Sequence, residues 1–513
     1  MPTSMSSLPP ELLPDILSPL VRRQDLYNVC LVCRDWCAAG QRLLYRHIRL
    51  FGKDLAIAAN LFETLASTRH LAQLVKRLEV RVYPLSNVVK ERRAMEELAI
   101  AMLKNCENIE ELVYTRKGAL TDDVFEAIVT LPRLHTFELN AHTNLSPGSW
   151  SASHVVNLPP LRSLSLILPD RNVANALPEF FARQRELANR DAPGETHEGG
   201  VVALEELSVL CRESTVFNDR VVSSITPFLA NARIRSLGFA GCAKLSGKPL
   251  LALLPRLPCL RNLALEACNI DPDFFSLIAP SLTSLSSLKL THPGPRHPTR
   301  PRFFPALETL LQHTRHLTAF TLYYSGVSTG GRREWPSVPQ EFVQSLTDSV
   351  GPRLRKFELS GVLVEVDAVQ VLTNGSKGLK DLVLHLGENF SLAHLTACFA
   401  PLSQMRTLHV LSQRADVTPD DVLDLAKECS PTLRQVGFRN RVWLLRRSVV
   451  NDRIKVSLGS YDLPFWPEAL LVVRFVESAA AFGAFRRNKY GAEEDLDFEA
   501  EEADASDDDD EEQ

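Results

Sequence analysis

A short apolar motif recurs along most of this 513-residue chain. The motif is L-x-x-L-x-L, with Ile, Val, Met or Phe also allowed at its apolar positions. Clear copies begin at residues 109, 134, 161, 204, 234, 260, 285, 317, 354, 379, 405 and 433, and a weaker copy begins at 75. The last four residues of each copy alternate apolar and polar side chains, which predicts a short β-strand with one buried face. The segments between copies, such as 271–285 and 418–433, have helical spacing and acidic first turns.

One strand and one helix cannot bury the apolar face that they share, so neighbouring units must stack. The pattern resembles a leucine-rich-repeat solenoid. This resemblance implies an α/β fold, in which a curved parallel β-sheet lines the concave side and helices lie outside. About 12–13 repeats are predicted over residues 74–460. Wider gaps between copies mark insertions, which predict loops at 169–200, 292–304 and 328–340.

Both ends of the chain differ from the repeats. We predict a disordered start at 1–6, a small helical module at 7–48, a helical linker at 49–73 and a capping helix at 461–490. We predict that residues 491–513 form a disordered acidic tail, because Glu493–Gln513 holds 14 acidic residues and no basic one. Removing these 14 leaves 48 acidic residues against 57 Lys and Arg, so the body is mildly basic. Ser506, followed by four aspartates, is a candidate phosphosite for an acidophilic kinase, and the tail could compete for a basic part of the solenoid.

Several classes of protein are disfavoured by the sequence. No secretory signal and no uninterrupted apolar span is present, so we expect a cytoplasmic or nuclear protein that does not bind membranes. Its ten cysteines are expected to be reduced thiols. The sequence has no Walker loop and no cluster of metal-ligand residues, which predicts a protein that is not an enzyme and needs no cofactor. An acidic chain without aromatic stacking platforms also argues against nucleic-acid binding.

The first fifty residues have a distinct composition. The segment "LPPELLPDILSPLVRRQDLYNVCLVCRDWCAAGQRLLYRHIRL" starts at Leu8 and carries more apolar surface than about forty residues can bury internally. Such a unit must dock onto something. From Leu8 to His47, the order, spacing and residue types resemble the F-box, and the "LLYRHIRL" end resembles fungal members of that family.

The resemblance implies a partner and a contact surface. F-box proteins bind an Skp-type adaptor, which joins a cullin scaffold, a RING subunit and a ubiquitin-conjugating enzyme. The positions that match the family's adaptor contact are Leu8, Pro9, Ile16, Leu17, Leu20, Leu31, Val32 and Trp36. Pro14 and Pro19 depart from the pattern, because Pro19 removes an interior helical hydrogen bond. The first helix should therefore bend or end early.

Three cysteines near Trp36 allow a second interpretation. Cys30, Cys33, Cys37 and His47 can be written C-x2-C-x3-C-x9-H, which superficially suits zinc. However, no turn residue lies between Cys30 and Cys33 to form a ligand knuckle. The i, i+3, i+7 spacing instead favours a packing stripe, and no metal site is predicted.

The polar positions of the repeat motif should form a partner-binding surface. Early copies are acidic, whereas late copies are basic, and the candidate target-binding residues are Arg355, Lys356, Lys380, Arg406, His409, Arg434 and Arg439. Such a surface favours an acidic or phosphorylated target, although these residues can also be ordinary solvated positions. The leading hypothesis is a substrate-recognition subunit of an SCF-type ubiquitin ligase, which recruits a target for proteasomal degradation. The alternative is a repeat scaffold that binds the adaptor without ubiquitination.

Overall fold

A computed structural model of the chain describes residues 9–20, 23–50, 55–81, 83, 88–145, 148–191, 203–212, 214–324, 334–412, 414, 416–439, 441–450 and 453–460. The predicted capping helix, the acidic tail and Ser506 lie outside these residues, as does Leu8. None of the described helices is long and apolar enough to cross a membrane.

Within the described residues, sixteen strands form one sheet, and two short strands form a separate hairpin. The strands are β1 (His47–Leu50), β2 (Arg77–Val80), β3 (Glu111–Tyr114), β4 (Thr136–Asn140), β5 (Asn144–Leu145), β6 (Gly148–Ser149), β7 (Ser163–Ile167), β8 (Glu206–Leu210), β9 (Ser236–Ala240), β10 (Asn262–Glu266), β11 (Ser287–Thr291), β12 (Ala319–Tyr323), β13 (Lys356–Leu363), β14 (Asp381–Leu386), β15 (Thr407–Ser412), β16 (Gln435–Phe438), β17 (Arg441–Val450) and β18 (Arg453–Ser460). Strands β1 to β16 follow chain order and are parallel, apart from the β5–β6 hairpin, whereas β17 and β18 are antiparallel.

Helices alternate with these strands. They are α1 (Leu13–Leu17), α2 (Arg23–Cys30), α3 (Arg34–Arg46), α4 (Leu55–Ser67), α5 (Arg69–Ala72), α6 (Val89–Asn105), α7 (Asp122–Val129), α8 (Ser153–Val156), α9 (Arg171–Asp191), α10 (Asp219–Leu229), α11 (Gly247–Leu253), α12 (Asp273–Ile278), α13 (Arg300–His313), α14 (Gln340–Val350), α15 (Val366–Gly375), α16 (Leu392–Phe399) and α17 (Pro419–Glu428). The predicted α/β solenoid of parallel strands and helices is confirmed.

The core lies between the sheet and the helices. In β4, for example, Phe137 and Leu139 are fully buried, whereas Thr136 and Glu138 between them stay partly exposed. The same alternation places the intervening side chains on the other side of the sheet, which we call the open face. Because each unit packs against its neighbours, one continuous apolar cluster runs from Ile48 to Phe438.

The solenoid begins earlier than predicted. Strand β1 starts at His47 and pairs with β2, so the sheet reaches into the region assigned to the helical module. The predicted helical linker at 49–73 contains α4 and α5, and Phe62 and Leu65 of α4 belong to the main core. Residues 45–50, "YRHIRL", form one more copy of the motif, with Tyr45 in place of the first leucine.

Two of the predicted loops contain helical residues. Residues 171–191 form α9, which buries Phe180 and Phe181. The last five residues of the second loop, 300–304, begin α13, whereas 292–299 lie outside any helix. Proline obscured both helical patterns, since Pro178 lies inside α9 and Pro301 lies in the first turn of α13. Residues 328–333 of the third predicted loop lie outside the described residues, and Gln340 begins α14.

Candidate functional site

The N-terminal module consists of three helices around a small core of its own. Leu13 and Leu17 from α1 pack with Val29 from α2 and Ala39 from α3. Helix α1 ends at Leu17, two residues before Pro19, as expected if this proline makes the helix end early. The α2 and α3 helices approach closely at Gly40, and so small a core gives this module little stability to spare.

Large apolar side chains of this module remain exposed to solvent. Leu31 and Val32 lie in the turn between α2 and α3 and are 68% and 62% exposed. Leu12, Ile16 and Tyr27 are about half exposed. Leu12 and Tyr27 were not among the predicted contacts, although each lies four residues before a predicted one, Ile16 or Leu31. The module therefore presents apolar surface from α1, from α2 and from the α2–α3 turn.

The other predicted contacts differ in their exposure. Pro9 is exposed, and its carbonyl accepts a hydrogen bond from the Leu12 amide at 3.0 Å. Leu17 is 3% exposed, so its side chain stabilises the module and offers no surface for a partner. Leu20 and Trp36 are half-buried against the same core.

The cysteines of the module do not form a single stripe. Cys30 Sγ lies 3.9 Å from the Cys37 carbonyl oxygen, between α2 and α3. Burial and the neighbouring Cys37 raise the pKa of the Cys30 thiol. Cys33 is exposed at the N-cap of α3, and His47 bonds to Glu79 of β2. His47 is therefore engaged by the sheet, and Cys33 does not share the packing of Cys30 and Cys37.

Gly40 provides a test of how tightly this module is packed. A Cβ atom at Gly40 would lie 2.8 Å from Cys30 Sγ and 3.1 Å from a Val29 methyl. We expect Gly40→Val to destabilise the module by about 2 kcal/mol and to speed hydrogen exchange in α2 and α3. Gly387→Val is the matched control, because nothing lies within 4 Å of that added carbon. Unchanged exchange in α2 and α3 would contradict the close helix contact.

The seven predicted target-binding residues occupy three different places. Lys356 and His409 lie on the open face, and Arg439 follows the C-terminal end of β16 with a left-handed backbone. The other four each precede a strand, at the opposite edge of the sheet: Arg355, Lys380, Arg406 and Arg434. The prediction that all seven residues share one basic face is therefore wrong. These four residues occupy the second position of the L-x-x-L-x-L motif, and that position lies before the strand begins.

The two candidates on the open face carry little free positive charge. Lys356 Nζ lies 2.9 Å from Glu358 Oε1, whose other carboxylate oxygen accepts a hydrogen bond from Thr321. Burial lowers the pKa of His409 to about 4, so this imidazole is neutral at pH 7. His409 Nε2 lies 2.8 Å from Gln435 Nε2. This face is therefore polar, with its cations paired or neutralised at these two positions.

Comparison with known families identifies the N-terminal module. A family model described as F-box-like matches residues 5–50. The chain carries an F-box-like domain. The fungal resemblance of residues 43–50 stays a prediction. A search of curated protein sequences gives no match.

Three solved structures are similar to this chain at low sequence identity. The yeast Rad7–Elc1 complex matches with 14% identity and a TM-score of 0.41, covering 84% of this chain and 92% of that chain. The leucine-rich-repeat protein LegL7 from Legionella pneumophila matches with 16% identity and a TM-score of 0.38, covering 65% and 97%. The TLR13–ssRNA13 complex matches with 14% identity and a TM-score of 0.30, covering 66% and 58%.

A buried charge cluster connects the F-box-like domain to the first repeats. Glu79 of β2 is fully buried and contacts four basic side chains: His47 Nε2 at 2.9 Å, Arg77 Nε at 3.0 Å, Arg49 Nε at 3.3 Å and Arg81 Nε at 3.4 Å. Arg23 of α2 donates to the His47 carbonyl at 3.5 Å. The cluster therefore joins α2 of the F-box-like domain to β1 and β2.

The charges around Glu79 determine its protonation. Burial would raise the pKa of Glu79, but the hydrogen bond from His47 and the three surrounding arginines outweigh it. The pKa is lowered to about 2, so Glu79 is ionised at any physiological pH. The same arginines extend the network, since Arg77 contacts Glu111 at 2.8 Å and Arg81 contacts Glu138 at 3.4 Å. The acidic residues predicted for the early repeats thus serve as ion-pair partners here.

Proposed function

We propose that this chain is the substrate-recognition subunit of an SCF-type ubiquitin ligase. The F-box-like domain would bind an Skp-type adaptor, and through it cullin and RING subunits, while the solenoid would hold a target protein for ubiquitination and degradation. Ubiquitin transfer would take place on other subunits, so the chain itself would have no catalytic residues. This role belongs in the cytoplasm or the nucleus.

The observation that carries this proposal is the exposed apolar surface of the F-box-like domain. Leu31 and Val32 project from a turn that is fixed by backbone hydrogen bonds of 3.1 Å from Leu31 to Asn28 and 3.2 Å from Val32 to Val29. Burying such a side chain in an interface contributes about 1.5–3 kcal/mol. Two neighbouring apolar residues on a rigid turn are therefore suited to anchor a protein partner.

The proposed target-binding role of the solenoid rests on the long surface that its repeats present. Parallel repeats present a long row of strand and edge positions, which is how solenoids bind extended partners. The alternative function is a scaffold that binds the adaptor without promoting ubiquitination. The two functions differ in the fate of the partner that the solenoid holds.

Protein half-life distinguishes a ligase subunit from a scaffold. Proteins that co-purify with the chain should be degraded faster in cells with the wild-type chain than in cells with Leu31→Asp/Val32→Asp. Pulse labelling followed by mass spectrometry measures both half-lives, and proteasome inhibition should remove the difference. Equal half-lives for all co-purifying proteins would reject the ligase proposal and favour the scaffold.

A further inference from the structure

One residue from each parallel repeat lies just before its strand, and these residues form a continuous row. In each step, the backbone N–H of one residue donates to the carbonyl oxygen of its counterpart in the preceding repeat, at 2.7–3.1 Å. We call this row the edge ladder. Its members are Arg46, Lys76, Glu110, His135, Arg162, Glu205, Arg235, Arg261, Ser286, Thr318, Arg355, Lys380, Arg406 and Arg434.

The two halves of the edge ladder differ in charge. In the N-terminal half, Glu110 contacts Lys76 at 2.6 Å and Glu205 contacts Arg235 at 3.1 Å. The last four positions, Arg355 to Arg434, are all basic. Because adjacent strands are about 4.8 Å apart, these four residues place like charges at short, regular intervals along the sheet edge.

Three of these cations have no acidic partner within the described structure. Arg355 donates only to the carbonyl oxygens of Pro352 and Leu354, at 3.4 Å each. No ion pair within 4.0 Å joins Arg355, Lys380 or Arg406 to any described carboxylate. Asp381 follows Lys380 in the chain but lies on the open face, because it pairs in register with Lys356 of β13 and with Thr407, a partly exposed position in the alternation of β15. Like charges at this spacing repel one another, so an anionic ligand would relieve the repulsion.

The acidic end of the chain has the charge and the reach to supply that anion. Strand β17 passes the last member of the edge ladder, since the Leu445 amide donates to the Arg434 carbonyl at 2.8 Å. Strand β18 returns antiparallel, with Ser460 opposite Trp443 and Trp443 opposite Val436. Ser460 therefore lies two strands, or about 10 Å, beyond β16. The acidic run begins at Glu493, and the intervening 32 residues can span at most about 115 Å.

We propose that residues 493–513 bind to the basic end of the edge ladder, at Arg355, Lys380 and Arg406 of the same molecule. The ligand is a polyanionic peptide whose carboxylates lie across consecutive strands. Tethering gives this contact a high effective concentration, so an acidic target must compete with the tail for the same surface. Phosphorylation of Ser506 would add charge and strengthen the contact. The docking does not depend on the proposed ligase function.

Zero-length cross-linking of the full chain tests the docking. A carbodiimide joins carboxylates to nearby lysine amines, so Lys380 should cross-link to peptides from 493–513 and do so less at high salt. Lys248, exposed on α11, serves as the internal reference. Arg355→Gln/Arg406→Gln keeps the Lys380 reporter and should lower this cross-link about fivefold, because each of the two exposed charge contacts contributes about a factor of two.

A matched control uses cations on the helix layer. Lys104→Gln/Arg220→Gln removes the same charge from exposed positions of α6 and α10 and should leave the Lys380 cross-link unchanged. An equal loss of the Lys380 cross-link in both double variants would overturn the proposal. So would a cross-link yield at Lys380 that is no higher than the yield at Lys248. Mixing 15N-labelled and unlabelled chains separates two outcomes: cross-links of one isotope support docking within a molecule, whereas mixed-isotope cross-links overturn it in favour of a second copy.

Discussion

Replacing Glu79 by Gln is expected to destabilise the junction between the F-box-like domain and the solenoid by about 3–5 kcal/mol. The carboxylate is the negative centre among the guanidinium groups of Arg49, Arg77 and Arg81, and glutamine cannot neutralise them. Removing one partner of a buried charge cluster costs more than the net stabilisation of the cluster, because the remaining charges stay buried and repel one another. We therefore expect faster hydrogen exchange in β1 to β3 and little change in β14 to β16.

A second buried glutamate provides the control for Glu79. Glu358 of β13 is also buried, but its carboxylate has one lysine and one threonine as partners. Glu358→Gln should therefore lower the stability by less than half as much as Glu79→Gln, and it should speed hydrogen exchange only in β12 to β14. An equal effect of both substitutions, or stable β1 to β3 in Glu79→Gln, would contradict the role of the cluster.

The same cluster predicts a dependence of stability on pH. The pKa of Glu79 is about 2 in the folded chain and lies near 4.5 without the cluster. Because the folded pKa is depressed, its contribution is fully present above about pH 4.5 and is lost as the pH falls towards 2. That contribution is of the order of 3 kcal/mol. Hydrogen exchange of β1 to β3, measured while the pH is lowered, should show this loss of stability in the wild type and not in Glu79→Gln.

Changing Leu31 and Val32 to aspartate is expected to weaken adaptor binding about 100-fold, which corresponds to about 2.7 kcal/mol. Both side chains are already more than 60% exposed, so the substitution changes the surface and leaves the module's core intact. Buried in an interface, two carboxylates without partners would be strongly unfavourable. Isothermal titration of the full chain with an Skp-type adaptor measures the loss.

The control for this pair matches it in residue type and exposure. Leu277 on α12 and Val89 on α6 are 67% and 65% exposed and lie outside the F-box-like domain. Leu277→Asp/Val89→Asp should bind the adaptor with wild-type affinity. Equal affinity of wild type and Leu31→Asp/Val32→Asp would show that the adaptor uses another surface.

The sequence predicted the repeat architecture because each strand repeats the same alternation of buried and exposed residues. It missed β1, where Tyr45 replaces the usual aliphatic residue, and it assigned α9 and the first turn of α13 to loops because Pro178 and Pro301 obscure the helical pattern. Both errors arise where tertiary packing overrides a local signal. Phe180 and Phe181, which are fully buried, show how strongly α9 packs against the core.

The candidate sites could be located only in part. Composition identified basic residues in the late repeats, but period-two alternation does not reveal where each strand begins. Arg355 and Lys356 are adjacent in sequence, yet one belongs to the edge ladder and the other to the open face. In the F-box-like domain, Ile16 and Leu17 likewise differ, with one half exposed and the other buried, because helix packing sets which side of α1 faces inward.

Assembly with the ligase scaffold tests the central claim most directly. The full wild-type chain should co-elute in a stoichiometric complex when mixed with purified Skp-type adaptor, cullin and RING subunits on a sizing column with light scattering. Omitting the adaptor should leave the chain free. A folded chain that stays separate from the complete mixture, while an unrelated F-box protein assembles with it, would contradict the proposed role as a ubiquitin-ligase subunit.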